Sequence, residues 1–171
     1  MKLPKTFADK HDGLVNVVIE TPKGSRNKFA FERDSWLFRL KKILPSGLVF
    51  PLDFGFIPRS EGDDGDPIDV LVVVEQGTYP GCLLECRLIG IIQGEQTDKD
   101  GDTERNDRLV AVPDASVEYA NLRDIADFSR EHLNDLEHFF VYYNAMEGKH
   151  YRLLGTEGPG AALETLKKAT K

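Results

Sequence analysis

The sequence predicts an α+β domain, mainly β, with a curled sheet or small barrel and flanking helices, one of them C-terminal. Three observations carry this. Short apolar or alternating runs crowd the first two thirds of the chain, Gly- and Pro-containing turns separate them, and the apolar period lengthens to a helical one in the last third. Leu14 to Ile19 is a mostly β-branched run. Phe29 and Phe31 alternate with polar neighbours, and Trp36, Phe38 and Leu40 repeat that period of two. Ile68–Val74 and Leu83–Ile92 read as buried strands, and Arg108–Val112 as a short third. Pro22-Lys23-Gly24, Pro45-Ser46-Gly47, Pro80-Gly81 and Asp100-Gly101 punctuate them. Ser129 is placed to cap a helix to about Met146, with Leu133, Leu136, Phe140 and Tyr143 on one face. Pro159 suits the first turn of a last short helix through Leu163 and Leu166.

Length bounds the rest. At 171 residues the chain is expected to be one domain, 1–171. Hydrophobic residues at 40% allow a core and exclude disorder throughout. No apolar run approaches the roughly 20 residues that span a bilayer, and Met1 to Asp12 lacks the apolar stretch of a secretory signal. The expectation is a cytoplasmic protein with no membrane partner. The charge, 22 − 29 = −7, disfavours non-specific nucleic-acid binding, which needs basic surface. Cys82 and Cys86 lie about 13 Å apart along a strand, too far for a disulfide. His11, His132, His138 and His150 are scattered without the spacing of a zinc site.

The sharpest motif is Asp63-Asp64-Gly65-Asp66-Pro67-Ile68-Asp69, leading into Val70-Leu71-Val72-Val73. Its carboxylates repel one another unless cations sit among them. Gly65 permits a tight turn, and Pro67 fixes its own φ and extends Asp66. Asp69 then stands at the mouth of a rigid strand, so that Asp64, Asp66 and Asp69 can face one centre. Such oxygen donors suit Mg²⁺, or Mn²⁺, which keep waters and share phosphates with a substrate. The bland alternative is a solvated acidic turn. A second acidic stretch, Glu95 to Asp107, fails as a calcium loop, because Leu109 stands where the closing Glu belongs.

The segment Asp64-Gly65-Asp66-Pro67-Ile68-Asp69-Val70 resembles the signature of the soluble family I inorganic pyrophosphatases. The resemblance runs from about residue 14 to 155. Val18-Ile19-Glu20-Thr21-Pro22, Phe50-Pro51-Leu52-Asp53-Phe54-Gly55-Phe56-Ile57-Pro58, Leu109-Val110-Ala111-Val112-Pro113 and His138-Phe139-Phe140 follow in order. It implies an OB-like barrel, metal-dependent hydrolysis of pyrophosphate to two phosphates, and a homo-oligomer, a hexamer in bacteria. It implies that Asp64, Asp66 and Asp69 are metal ligands, with Asp66 the base and Glu20 in the metal–water network. Glu95, or Asp98 in another register, and Asn106 are implied as further ligands. Lys28, Lys42, Arg108 and Tyr143 are implied as phosphate contacts, Tyr143 also among the catalytic groups. The chain departs from the family at Ala30 (usually Glu), Phe50 and Phe54 (usually Tyr), Asn106 (usually Asp) and Asn144 (usually Lys). Lys42 and Arg108 exchange Arg and Lys, which keeps charge and changes geometry. The competing readings are hydrolysis of another phosphoanhydride, such as a nucleotide, and a non-catalytic metal-binding barrel.

Overall fold

The computed structural model describes residues 2–9 and 13–170, so His11 and the ends of the expected 1–171 domain lie outside it. The strands are β1 (Phe7–Asp9), β2 (Leu14–Thr21), β3 (Asn27–Glu32), β4 (Leu37–Ile43), β5 (Asp53–Phe56), β6 (Asp69–Val72), β7 (Leu83–Thr97), β8 (Thr103–Arg105), β9 (Arg108–Pro113) and β10 (His150–Glu157). The helices are α1 (Arg130–Ala145) and α2 (Pro159–Lys168), with a short 3-10 turn at Ile125–Asp127. The main sheet runs β1-β2-β5-β6-β9-β7-β10, and a further pairing of β2 with β7 closes five of its strands into a ring. The β6–β9 pairing is parallel, and the other pairings of the ring are antiparallel. This is the expected mainly-β fold with a closed, OB-like sheet.

Both faces of the central strands are buried, which is why they read as continuous apolar runs. On β9, Val110 and Val112 join Phe139, Phe140 and Tyr143 of α1, while Leu109 and Ala111 join Ala162 and Leu166 of α2. Gly55 lets β5 pass close to β2, since a Cβ there would lie 2.3 Å from the Val18 carbonyl oxygen. Asp53, wholly buried, accepts hydrogen bonds from Lys23 N (2.7 Å) and Thr78 Oγ1 (2.6 Å), which offsets the cost of burying a carboxylate. Cys86 is buried between β2 and β9, opposite Val15 and Pro113, and both thiols are free.

Several boundaries differ from the sequence reading. Trp36 has φ 58° and belongs to the turn before β4, so the strand alternation begins at Leu37. The Ile68–Val74 run shortens to β6, and β7 extends past Ile92 to Thr97. β1, β5, β8 and β10 were not anticipated. Helix α1 begins where expected, Ser129 Oγ accepting from His132 N at 3.2 Å, and Pro159 opens α2.

β3 and β4 form a separate hairpin beside the barrel. Its register shifts between Lys28 and Phe29: Lys28 pairs with Lys42, and Phe29 with Leu40. Lys41 is therefore the extra, bulged residue, and the bulge brings Lys42 opposite Lys28. Two like charges directly opposed destabilise a hairpin, so this pairing calls for an anion close by.

Candidate active site

Two cavities meet at Asp69, the first residue of β6, which lines both. The narrower one, about 80 Å³, is lined by Glu20, Lys28, Phe54, Arg108 and Tyr143 as well. The wider one, about 500 Å³, is lined by Asp64, Asp66, Gln96, Asn106 and Asp107. One side is cationic, the other acidic, and a single carboxylate joins them.

The acidic turn is held by its own bonds. Gly62 N donates to Asp66 O (2.7 Å), Asp66 N to Asp64 Oδ1 (3.0 Å), and Gly65 has φ 83°. About half of the Asp69 side chain (53%) is open. Protein closes round the rest, and this desolvation raises its proton affinity above the ordinary carboxylate value. Arg108 and Lys28 oppose the rise, while Asp64 and Asp66 add to it. Arg108 is buried, its Nε 3.9 Å from Asp69 Oδ2 and its guanidinium 4.4 Å above the Phe140 ring. Glu20, at the end of β2, accepts a hydrogen bond from Phe31 N (2.7 Å). Burial nevertheless pushes its carboxyl up to about 7, helped by Asp69 and Asp66.

That proton affinity carries a stability consequence. The native state holds the Glu20 proton more tightly than the unfolded chain does, so it loses stability as pH rises from 4.5 towards 7. In metal-free protein Glu20→Gln, which keeps the acceptor for Phe31 N, is expected to melt above wild type at pH 8. The gap narrows towards pH 5. Melting curves at the two pH values check this, and an equal gap at both contradicts it.

The Lys28 ammonium, which lines the narrow cavity, and that of Lys42, which lines neither, lie 5.3 Å and 4.6 Å from the Tyr143 ring centroid. Tyr143 lines the narrow cavity, and its hydroxyl is buried with no partner among the described residues. Lys42 is ion-paired with Glu147.

The sequence-derived set is therefore brought together in part. Glu20, Lys28, Asp69, Arg108 and Tyr143 share one cavity, and Asp64, Asp66, Asp69 and Asn106 the other. Glu95 goes elsewhere: it is ion-paired with Arg152 of β10 and lines neither cavity. Gln96, next along β7, lines the wide cavity instead, because successive strand residues face opposite sides. The alternative, Asp98, accepts from the backbone N–H groups of Asp100 and Asp102 within its own turn. Asp107 was missed. It lines the wide cavity beside Asn106, and Gly94 holds both, its N–H donating to Asp107 Oδ1 (3.1 Å) and its carbonyl accepting from Asn106 N (2.9 Å). Phe50 and Phe54 pack edge-on at 4.8 Å in the aromatic cluster under the site. Asn144 is buried and donates to Phe140 O (2.8 Å), so its amide is engaged within α1.

The sequence model of the family described as inorganic pyrophosphatase matches residues 17–171. The chain belongs to the inorganic pyrophosphatase family. A curated inorganic pyrophosphatase of Synechocystis sp. is 36% identical over 171 residues, covering 100% of this chain and 98% of that one. One from Streptomyces coelicolor is 39% identical over 132 residues, covering 77% and 78%. The crystal structure of inorganic pyrophosphatase from Thermus thermophilus has a TM-score of 0.87 at 31% identity, covering 98% of this chain and 94% of that one. Members of this family generally work with a divalent metal. Among the described residues no three His, Cys, Asp or Glu are gathered into a ready-made cage. The donors around Asp69 are hard oxygens on an open cavity wall, a set that fits a cation taking few protein ligands and keeping its waters. No helix among the described residues is long and apolar enough to cross a membrane.

Proposed function

We propose that this chain hydrolyses inorganic pyrophosphate to two phosphates at the junction of the two cavities, with Mg²⁺ as its cation. The observation that carries this reading is Asp69, shared between an acidic cavity and one lined by Lys28 and Arg108. A compact, highly charged anion needs both. Asp64, Asp66 and Asp69 would hold the metal, with Asn106 giving an amide oxygen. The metal supplies charge neutralisation and lowers the pKa of water near it. Asp66 takes the proton of the attacking water. That water's oxygen bonds to one phosphorus as the bridging P–O bond breaks. Lys28, Lys42 and Arg108 neutralise the phosphoryl oxygens as charge builds on the leaving phosphate. The Tyr143 hydroxyl, buried and without a partner among the described residues, would donate to a phosphoryl oxygen once its ring turns towards the cavity it lines. Glu20, held by the Phe31 N–H, lines the same cavity and would orient water there.

Phosphate release from pyrophosphate and from ATP, with and without Mg²⁺, tests the reading. The expected result is Mg²⁺-dependent release from pyrophosphate with little from ATP. A preference for ATP transfers the site to nucleotides, and no release from either removes catalysis. The working assembly proposed is a homo-oligomer, a hexamer, and a stable monomer of 19.2 kDa by light scattering would exclude it. The proposed location is the cytoplasm, where free thiols such as Cys82 and Cys86 persist.

A further inference from the structure

The Lys28–Lys42 pair needs an anion, and the chain supplies one of its own. Glu147 follows the end of α1, where Glu147 N and Lys149 N both donate to Asn144 O (2.9 and 3.0 Å) and Gly148 turns with φ 71°. That turn directs the Glu147 carboxylate onto the Lys42 ammonium, which lies over the Tyr143 ring. Both partners are partly sheltered, with 24% and 38% of their side-chain surfaces exposed. Burial, the largest single influence, works to raise the Glu147 carboxyl, but the hydrogen bond and charge of Lys42 together with Lys28 and Lys149 outweigh it and hold the carboxyl below the ordinary range. An ammonium satisfied by a carboxylate is not free to meet a phosphate. Asn144, turned into α1, offers no second cation there.

We propose that Glu147 is an internal competitor for the phosphate subsite: its carboxylate holds Lys42 when no substrate is bound, yields it to a phosphoryl group, and reclaims it as product phosphate leaves. This rests on the reading of the site as one for pyrophosphate. Glu147 lines neither cavity and is ion-paired with Lys42, so it is a positioning residue that acts through Lys42. Its carboxylate raises the affinity threshold that any anion must cross, and it lowers the barrier to product release by the same interaction. Mono-anions and weakly charged groups fall below that threshold, whereas a terminal phosphoryl group carrying nearly two charges crosses it.

The test is a double-mutant cycle of Glu147→Gln and Lys42→Met, read by calorimetric binding of inorganic phosphate and by KM and kcat on pyrophosphate. Glu147→Gln is expected to tighten phosphate binding and lower KM by about three- to tenfold, as for a partly sheltered ion pair. kcat stays level or falls, because product leaves more slowly. In the Lys42→Met background the same exchange should change nothing. Unaltered phosphate affinity in a folded Glu147→Gln protein overturns the proposal, as does an effect that persists without Lys42. If wild type fails to hydrolyse pyrophosphate, the functional reading falls, and the phosphate titration still decides whether Glu147 competes for Lys42.

Discussion

Asp69→Asn is expected to reduce pyrophosphate turnover at saturating Mg²⁺ by about a hundredfold or more. Changes to groups that merely orient a metal's ligands cost about 10–100-fold, and Asp69 stands nearer the chemistry than those. Among the described residues it is the one acidic residue common to both cavities, and it lies 3.9 Å from Arg108 Nε. The exchange is isosteric, so shape is kept while the charge linking the two halves is lost. Protein stability should not fall with activity. Desolvation first, then Asp64 and Asp66, raise the Asp69 carboxyl against the pull of Arg108 and Lys28, so neutralising it relieves a net cost. A variant as stable as wild type and nearly inert is the expected result, read by a phosphate-release assay beside a melting curve. Turnover near wild type would remove Asp69, and the metal site built on it, from the mechanism.

Gly55→Ala is expected to cost about 3 kcal/mol or more, at the upper end for overpacking a core. The added methyl would sit 2.3 Å from the Val18 carbonyl oxygen and 3.1 Å from Ile19 Cα. Neither atom belongs to a flexible side chain, so β2 and β5 must separate to admit it. The pairs Val18–Phe56 and Ile19–Gly55 are lost first, and with them the seat of Glu20 at the end of β2. A denaturant titration measures the loss. A midpoint within error of wild type would show that the two strands do not approach so closely.

Much of this fold was legible because burial on both faces leaves continuous apolar runs, as in Val70-Leu71-Val72-Val73 and Leu109-Val110-Ala111-Val112. The helices were legible through a cap at Ser129 and a proline at 159. β10 was not, because His150–Glu157 gains its place only by pairing with the far half of β7. The acidic turn stood out because four Asp in one short loop must be reconciled with one another. The direction Glu95 faces was not legible, because strand parity is invisible until β7 is known to run to Thr97, with register shifts near Leu88 and Leu153. The Lys42–Glu147 pair joins positions 105 residues apart, and only the Lys41 bulge and the end of α1 bring them together. No local pattern encodes such a meeting.

The hairpin of β3 and β4 stands outside the closed ring, and its outward residues Leu37, Leu40 and Ile43 are exposed by 65%, 47% and 62%. A ribbon appended to a barrel can open locally at a lower free energy than the whole domain. The ribbon carries Lys28 and Lys42, while the barrel carries Asp69 and Arg108. Fraying of the ribbon therefore withdraws two cations, and the Phe31 N–H that holds Glu20, while Asp69 and Arg108 stay on the barrel. Heat and denaturant can erode substrate affinity before they touch the global transition, and a mutation that stiffens the ribbon can sharpen affinity without moving the melting temperature.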